Sequence, residues 1–205
     1  MPERSDVDLM LSFQGGDEEA FSVLVNRHRN SIVSLTYRYL GNRSDAEDLA
    51  QEVFLRVYRA RKRYRPEAKF TTWLYRVAVN ASLNEVRNRK NRPVFGAAPL
   101  PGGDEERFTP SVADGRSESP QAAAERSELQ AQVRAAVDDL PERQRMALLL
   151  NKFHGFSYED LAATMEMSIP AIKSLLVRAR ENVRRRIEPY LQSGVDPIPG
   201  RKGTA

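Results

Sequence analysis

Cysteine is absent from the 205-residue sequence, which excludes disulfides, thiolate nucleophiles, zinc knuckles and iron–sulfur clusters. Histidine occurs twice, as His28 and His154, and neither has a carboxylate at ligand spacing, so no metal site is expected. No glycine-rich phosphate loop, dinucleotide fingerprint or nucleophile elbow is found, so neither a cofactor nor catalysis is expected. No uncharged apolar run approaches the roughly 18 residues that a membrane span needs. The opening MPERSDVDLMLSF is acidic and lacks the apolar core of a secretion signal. A cytoplasmic protein is the expectation. Strands are missing as well, because no stretch alternates with β-branched enrichment.

What remains is a helix-forming composition. Apolar residues make up 40% of the chain and charged residues 29%, with a formal net charge of +4 and a mean hydropathy of −0.57. So small an excess of positive charge matters only through where the charges sit. Residues 93–118, PVFGAAPLPGGDEERFTPSVADGRSE, carry no period of 2 or 3.6 and read as a flexible linker. The expected architecture is all-α, with small helical domains over 1–92 and 119–191 and a disordered tail over 192–205.

Start and stop signals place the helices. Ser5 and Asp17 can cap the first two, and Gly41 ends the second. Ser44-Asp45-Ala46-Glu47 reads as a capping box for a third helix that buries Leu49, Val53 and Val57. Thr71 or Thr72 is the expected cap of a fourth helix running from Trp73 toward Asn91. In the second half, Ser119-Pro120 and Pro141 open two helices, and Gly155 closes the latter. Ser157 caps a short helix through Met165. Ser168 caps a long helix to about Leu191.

Three surfaces stand out. The short helix, the tight turn Glu166-Met167 and the long helix have helix-turn-helix anatomy. From Lys173 to Arg186 the long helix carries six bases and one acid, net +5, which suits a helix whose N-terminal end reads base edges while arginines hold phosphates. The alternative is a solvated basic helix in an ordinary bundle. A second basic run, Arg87, Arg89, Lys90 and Arg92, follows Tyr64, Phe70, Trp73 and Tyr75. Rings beside cations suit single-stranded nucleic acid, although each ring could equally fill a helical core. The third surface, Asp45 to Glu52, has a net charge of −4. Favourable interaction with the helix dipole explains Asp45, Glu47 and Asp48; Gln51 and Glu52 fit a protein partner better.

DAEDLAQEVFLRVYRA, KFTTWLYRVAVNASLNEVR and LPERQRMALLLNKFHGFSYEDLAATMEMSIPAIKSLLVRARENVRR resemble the extracytoplasmic-function (ECF) sigma factors of bacterial RNA polymerase over about residues 9–92 and 126–187. The resemblance implies two domains, sigma region 2 and the helix-turn-helix region 4, and a transcription initiation factor rather than an enzyme. It implies that Asp45, Glu47, Asp48, Gln51 and Glu52 dock on core RNA polymerase. Lys69, Phe70, Trp73, Arg76, Asn80 and Arg87 would open and read the minus-ten element of promoter DNA, with Asn80 near a flipped base of the non-template strand. Ser168, Ala171, Lys173, Ser174, Arg178 and Arg180 would read the minus-thirty-five duplex. An anti-sigma factor is implied as a further partner. The linker would thread near the polymerase active-site channel. Two positions depart from the family pattern: Glu166 stands where Gly is usual and would be strained at positive φ, and Leu175 stands where a base is frequent. A stand-alone helix-turn-helix regulator of duplex DNA is the alternative from another class.

Overall fold

The computed structural model describes residues 4–91 and 120–193. Every regular element within them is helical, in the order α1 (Asp6–Gln14), α2 (Glu18–Leu40), α3 (Arg43–Ala60), α4 (Phe70–Asn91), α5 (Pro120–Asp138), α6 (Glu142–Phe153), α7 (Tyr158–Met165) and α8 (Ile169–Ser193), with a 3-10 turn at Arg61–Arg63 after α3. The linker expected over 93–118, the Ser119 cap and residues 194–205 of the expected tail lie outside the described residues.

Local chemistry sets most boundaries. The Ser5 side chain accepts from Asp8 N at 3.1 Å and Asp17 accepts from Ala20 N at 3.1 Å, satisfying amides that the first helical turns leave unpaired. Gly41 takes φ 80° and donates to the Tyr37 carbonyl at 2.8 Å, ending α2 with the left-handed backbone that only glycine adopts without strain. Two sequence expectations are corrected here. Helix α3 starts at Arg43, capped by Asn42, whose Oδ1 accepts from Asp45 N at 3.0 Å, so Ser44 lies inside the first turn and makes no capping box. The amide side chain, placed directly after the left-handed Gly41, reaches the orphan N–H first. Helix α4 begins at Phe70 rather than Trp73: Trp73 N donates to the Lys69 carbonyl at 3.3 Å, and Thr72 is buried within the first turn instead of capping it. Burying Phe70 pulls those three residues into the helix.

In the first domain α1 to α4 enclose Phe13, Leu24, Ile32, Leu35, Val53 and Leu74, all buried. Thr36 ties α2 to α3 by donating to the carbonyls of Ile32 at 3.0 Å and Ala46 at 2.9 Å. In the second domain α6 ends at His154 and Gly155, the latter at φ 66°. Asn151 Nδ2 donates to the Phe156 carbonyl at 3.0 Å and fixes the chain leading into α7. The Ser157–Asp160 capping box is present as expected. Ser168 accepts from Ala171 N at 3.3 Å and caps α8, which continues through Pro189 to Ser193, two residues beyond the expected end.

The sequence gives no sign that the two domains pack on each other. Helix α4 lies against both α6 and α7, and α2 touches α6. One continuous buried cluster runs from Leu9 and Tyr39 through Tyr75 to Met146, Leu161 and Ile172. Tyr75 sits at the junction, its ring 4.8 Å from that of Phe156 and its hydroxyl 3.0 Å from His154 Nδ1. Arginines cap both sides, with Arg38 over Phe153 at 4.2 Å and Arg145 over Tyr39 at 4.4 Å. Burial, reinforced by the Arg38 cation, pushes the His154 imidazole down to about 4.

The neutral form of His154 is therefore the one that fits. Because its folded pKa lies below the ordinary value, the stability it contributes is present above about pH 6.5 and is lost as pH falls toward 4. Between pH 7 and pH 5 that loss amounts to about 2 kcal/mol. Urea unfolding of the wild type should show this loss, and His154→Gln should remove it. The same pH slope in both proteins would show that His154 does not titrate across the interface.

Candidate nucleic-acid interface

Helices α7 and α8 form a helix-turn-helix whose corner is Glu166, at φ 55° and ψ 49°. The strain expected of Glu166 at positive φ is present, and it is the only described non-glycine residue with such a φ. Leu161, Met165, Ile172 and Leu176 hold the two helices together, while Ala179 packs with Val137, Leu140 and Leu148 from α5, α6 and the turn between them. Opposite that buried face Lys173, Ser174 and Arg178 are exposed. Ser168 is exposed while its oxygen caps the helix, and Ala171 is half-buried one turn later. Arg180 shares the flank of Lys173 but reaches back to Asn151 Oδ1 at 3.4 Å. Arg186 is drawn aside to Asp139 at 3.2 Å. Leu175 packs half-buried against the core, so an apolar residue there suits the fold.

On α4 the expected residues separate into two groups. Trp73, Arg76, Asn80 and Arg87 recur at spacings of three, four and seven, which places them on one side of the helix. Asn80 and Arg87 are exposed, and Trp73 and Arg76 are half-buried. Asn80 is therefore no core amide; its donor and acceptor both face solvent. Lys69, just before the helix, is exposed as well. Phe70 is a correction. Its ring is 3% exposed, packed among Tyr64, Trp73 and His28, so it supports the surface from below and presents no face for a base to stack on. Tyr64 and Tyr75 are buried too. Among the rings of that sequence segment Trp73 alone keeps a partly open face.

The acidic side of α3 is more neutralised than its charge count suggests. Asp45 receives Arg89 at 2.7 Å from α4, Glu47 pairs with Arg43 at 3.2 Å, and Glu52 with Arg56 at 2.9 Å. Asp48 and Gln51 are exposed beside them. The sequence reading missed Leu55, half exposed next to Gln51 and Glu52. It lies off the Leu49–Val53–Val57 stripe by two residues, and that displacement is the signal which marks an outward apolar side chain. With Phe21, Val25, Phe54 and Tyr58 it borders a shallow groove between α2 and α3. A second apolar groove lies in the other domain, between Val133, Val137, Leu148, Phe153, Val183 and Ile187.

No cluster of three His, Asp or Glu side chains capable of holding a metal occurs among the described residues. His28 donates through Nε2 to the Asp6 carboxylate at 2.8 Å, and Nδ1 of His154 is engaged by the Tyr75 hydroxyl. Among the described residues no helix is long and apolar enough to cross a membrane. The surface offers cations and one amide on α4, cations and a hydroxyl on α8, and carboxylates with an apolar rim on α3.

Residues 24–92 match the family Sigma-70 region 2, and residues 130–183 match Sigma-70, region 4. The chain is 35% identical over 192 residues to the RNA polymerase sigma-H factor of Pseudomonas aeruginosa, an alignment covering 94% of this chain and 98% of that one. It is 33% identical over 188 residues to the ECF RNA polymerase sigma-E factor of Escherichia coli K12, covering 92% and 97%. Among solved structures, CnrH in complex with the cytosolic domain of CnrY superposes with a TM-score of 0.62 at 21% identity, over 91% of this chain and 99% of that one. The sigma factor RpoE in complex with the anti-sigma factor NepR from Bartonella quintana gives a TM-score of 0.56 at 21% identity, over 82% and 96%. At that identity the two structures establish the fold.

The two kinds of cation on α8 should behave differently. Lys173→Ala and Arg178→Ala should each lower the salt dependence of duplex DNA binding by roughly 0.9 in slope. Arg186→Ala, whose guanidinium is held by Asp139, should leave the slope unchanged. Fluorescence anisotropy across a salt series measures it, and equal slopes for all four proteins would remove α8 from the interface.

Proposed function

Since the chain belongs to the extracytoplasmic-function sigma factors of RNA polymerase, we propose that it binds core RNA polymerase, directs it to a two-part promoter and helps melt the minus-ten element. The observation that carries the reading is the coexistence of two separate cationic surfaces with a third of opposite character. A duplex regulator needs only α7 and α8. It has no use for the Arg76–Asn80–Arg87 line on α4 or for the exposed Asp48, Gln51 and Leu55 on α3.

Each surface has a role that its chemistry fits. On α3, Asp48 and Gln51 with the rim of Leu55 face the polymerase, while Asp45, Glu47 and Glu52 orient the arginines that flank them. Lys69 and Arg76 hold the backbone of the displaced strand. Asn80, with donor and acceptor on one amide, reads an unstacked base that Trp73 borders. Duplex DNA at minus thirty-five falls to Ser168, Ala171, Lys173, Ser174, Arg178 and Arg180. The acidic linker over 93–118, five acids against two bases and net −3, passes near the catalytic channel. An anti-sigma factor covers these surfaces in the resting cell; RpoE of Bartonella quintana is in complex with such a factor, and the apolar grooves here offer places for its helices.

Asp48→Arg should weaken co-purification with core polymerase while far-ultraviolet circular dichroism stays unchanged, since the side chain is exposed. Unaltered core binding would contradict the role of α3. Asn80→Ala should leave core binding intact and lower open-complex formation, read as permanganate reactivity of promoter thymines, by roughly 5- to 150-fold, the equivalent of about 1–3 kcal/mol. Equal thymine reactivity in wild type and variant, at matched melting temperature, would take Asn80 out of the melting step.

A further inference from the structure

Each domain lends an arginine to a ring of the other, and only one of the two has a carboxylate. Arg145, over Tyr39, also lies 3.6 Å from Asp138. Arg38, over Phe153 at 4.2 Å, pairs with no carboxylate among the described residues, and its Nε and Nη1 are buried without a hydrogen-bond partner. The ring covers the face of the guanidinium and leaves its in-plane N–H groups unanswered. Other cations that reach the second domain are answered: Lys69 by Asp160 at 3.3 Å, Arg76 by Glu166 at 3.5 Å and Lys90 by Glu142 at 2.6 Å. For Arg38 nothing offsets desolvation, and burial holds its guanidinium below the ordinary arginine range. Buried donors without an acceptor are costly, so such a group is suited to an anion.

Arg38 lines a cavity of about 310 Å³ together with Asn30, Ser34, Tyr37, Arg43 and Glu47. Positions 30, 34, 37 and 38 share one face of α2 by the helical period, and each carries a donor. Arg43 adds another from the first turn of α3. The one carboxylate in the lining, Glu47, is already engaged by Arg43 at 3.2 Å.

From this arrangement we propose that the cavity between α2 and the start of α3 binds a small phosphate monoester, held through its oxygens by Arg38 and Arg43 with Asn30, Ser34 and Tyr37 around it. Phosphate fits because a guanidinium fork presents paired N–H groups to paired oxygens, and hydroxyl and amide donors meet the rest. A nucleic-acid backbone fits less well, since on leaving the cavity it would run past Glu47 and the exposed Asp48 beside it. A compact anion stays inside. Its binding removes the uncompensated charge next to Phe153 and so stabilises the folded chain. Neither the promoter nor the polymerase surfaces take part.

Inorganic phosphate titrated into the ¹⁵N-labelled full chain at constant ionic strength tests the site by nuclear magnetic resonance. The side-chain Nε–H signal of Arg38, identified by its loss in Arg38→Gln, and the backbone signals of Asn30, Ser34 and Arg43 should shift together and saturate. Arg38→Gln should weaken phosphate binding by roughly 10- to 150-fold, the loss expected for hydrogen bonds to a charged group. That substitution alters a buried contact as well, so a second variant leaves the packing alone. Asn30→Asp, at an exposed position, should weaken binding by about fivefold through like-charge repulsion, with an unchanged melting temperature in phosphate-free buffer. Dimethyl phosphate, a mimic of the nucleic-acid diester, should bind at least about tenfold more weakly than phosphate, since it keeps only two unblocked oxygens for the donors. Shifts that fail to saturate, or that sodium chloride reproduces, overturn the site. Phosphate affinity unchanged in both variants overturns the role of this cavity. Equal affinity for dimethyl phosphate overturns the monoester and makes the cavity a backbone contact.

Discussion

Helix α4 packs on α2 and α3 with one set of side chains and on α6 and α7 with another, so a single helix joins two hydrophobic cores. Tyr75 is where they meet. Its ring closes on Phe156 and its hydroxyl on a neutral His154, and both contacts are made by residues separated from it by the whole linker. Everything on the surface follows from that placement. It decides which cations of α4 face solvent, which face carboxylates of the other domain, and how far Asn80 stands clear.

Small core size makes such sharing physically reasonable. A four-helix unit of fewer than a hundred residues buries a smaller fraction of its surface than a larger domain. Docking the two units buries Tyr39 and Tyr75 and lets Arg38 and Arg145 cover Phe153 and Tyr39. The contact is mixed, with aromatic rings at the centre and exposed ion pairs at its edge. Interfaces between domains of one chain commonly have that character, and they permit relative motion.

The helices themselves were legible because their signals are local. Ser5, Asp17, Gly41, Ser157 and Ser168 each act within four residues, and the structure has them where their chemistry puts them. The boundaries of α3 and α4 were misread because two candidates competed. Asn42 outcompeted Ser44 by standing next to a left-handed glycine, and burial of Phe70 extended α4 backward past the threonines. The exposure of most candidate residues was legible in the sequence, and their pairing was not. Lys173, Ser174, Arg178, Asn80, Arg87 and Asp48 are all exposed, as a binding role requires. Phe70 was misplaced because an aromatic near a basic run reads the same whether it faces water or the core. The pairings of Asp45 with Arg89 and of Arg76 with Glu166 join residues 44 and 90 positions apart, and no period or cap foretells them.

Transcription itself puts the whole account to its most direct test. The purified chain, added to core RNA polymerase on templates with randomised upstream sequence, should yield transcripts whose start sites share two sequence boxes, one near minus ten and one near minus thirty-five. Both boxes should be needed, because the proposed function makes α4 and α8 separate readers on one chain. Transcripts that share only a single duplex box, or none above the level of core polymerase alone, would contradict it and return the protein to a regulator that binds DNA without the polymerase.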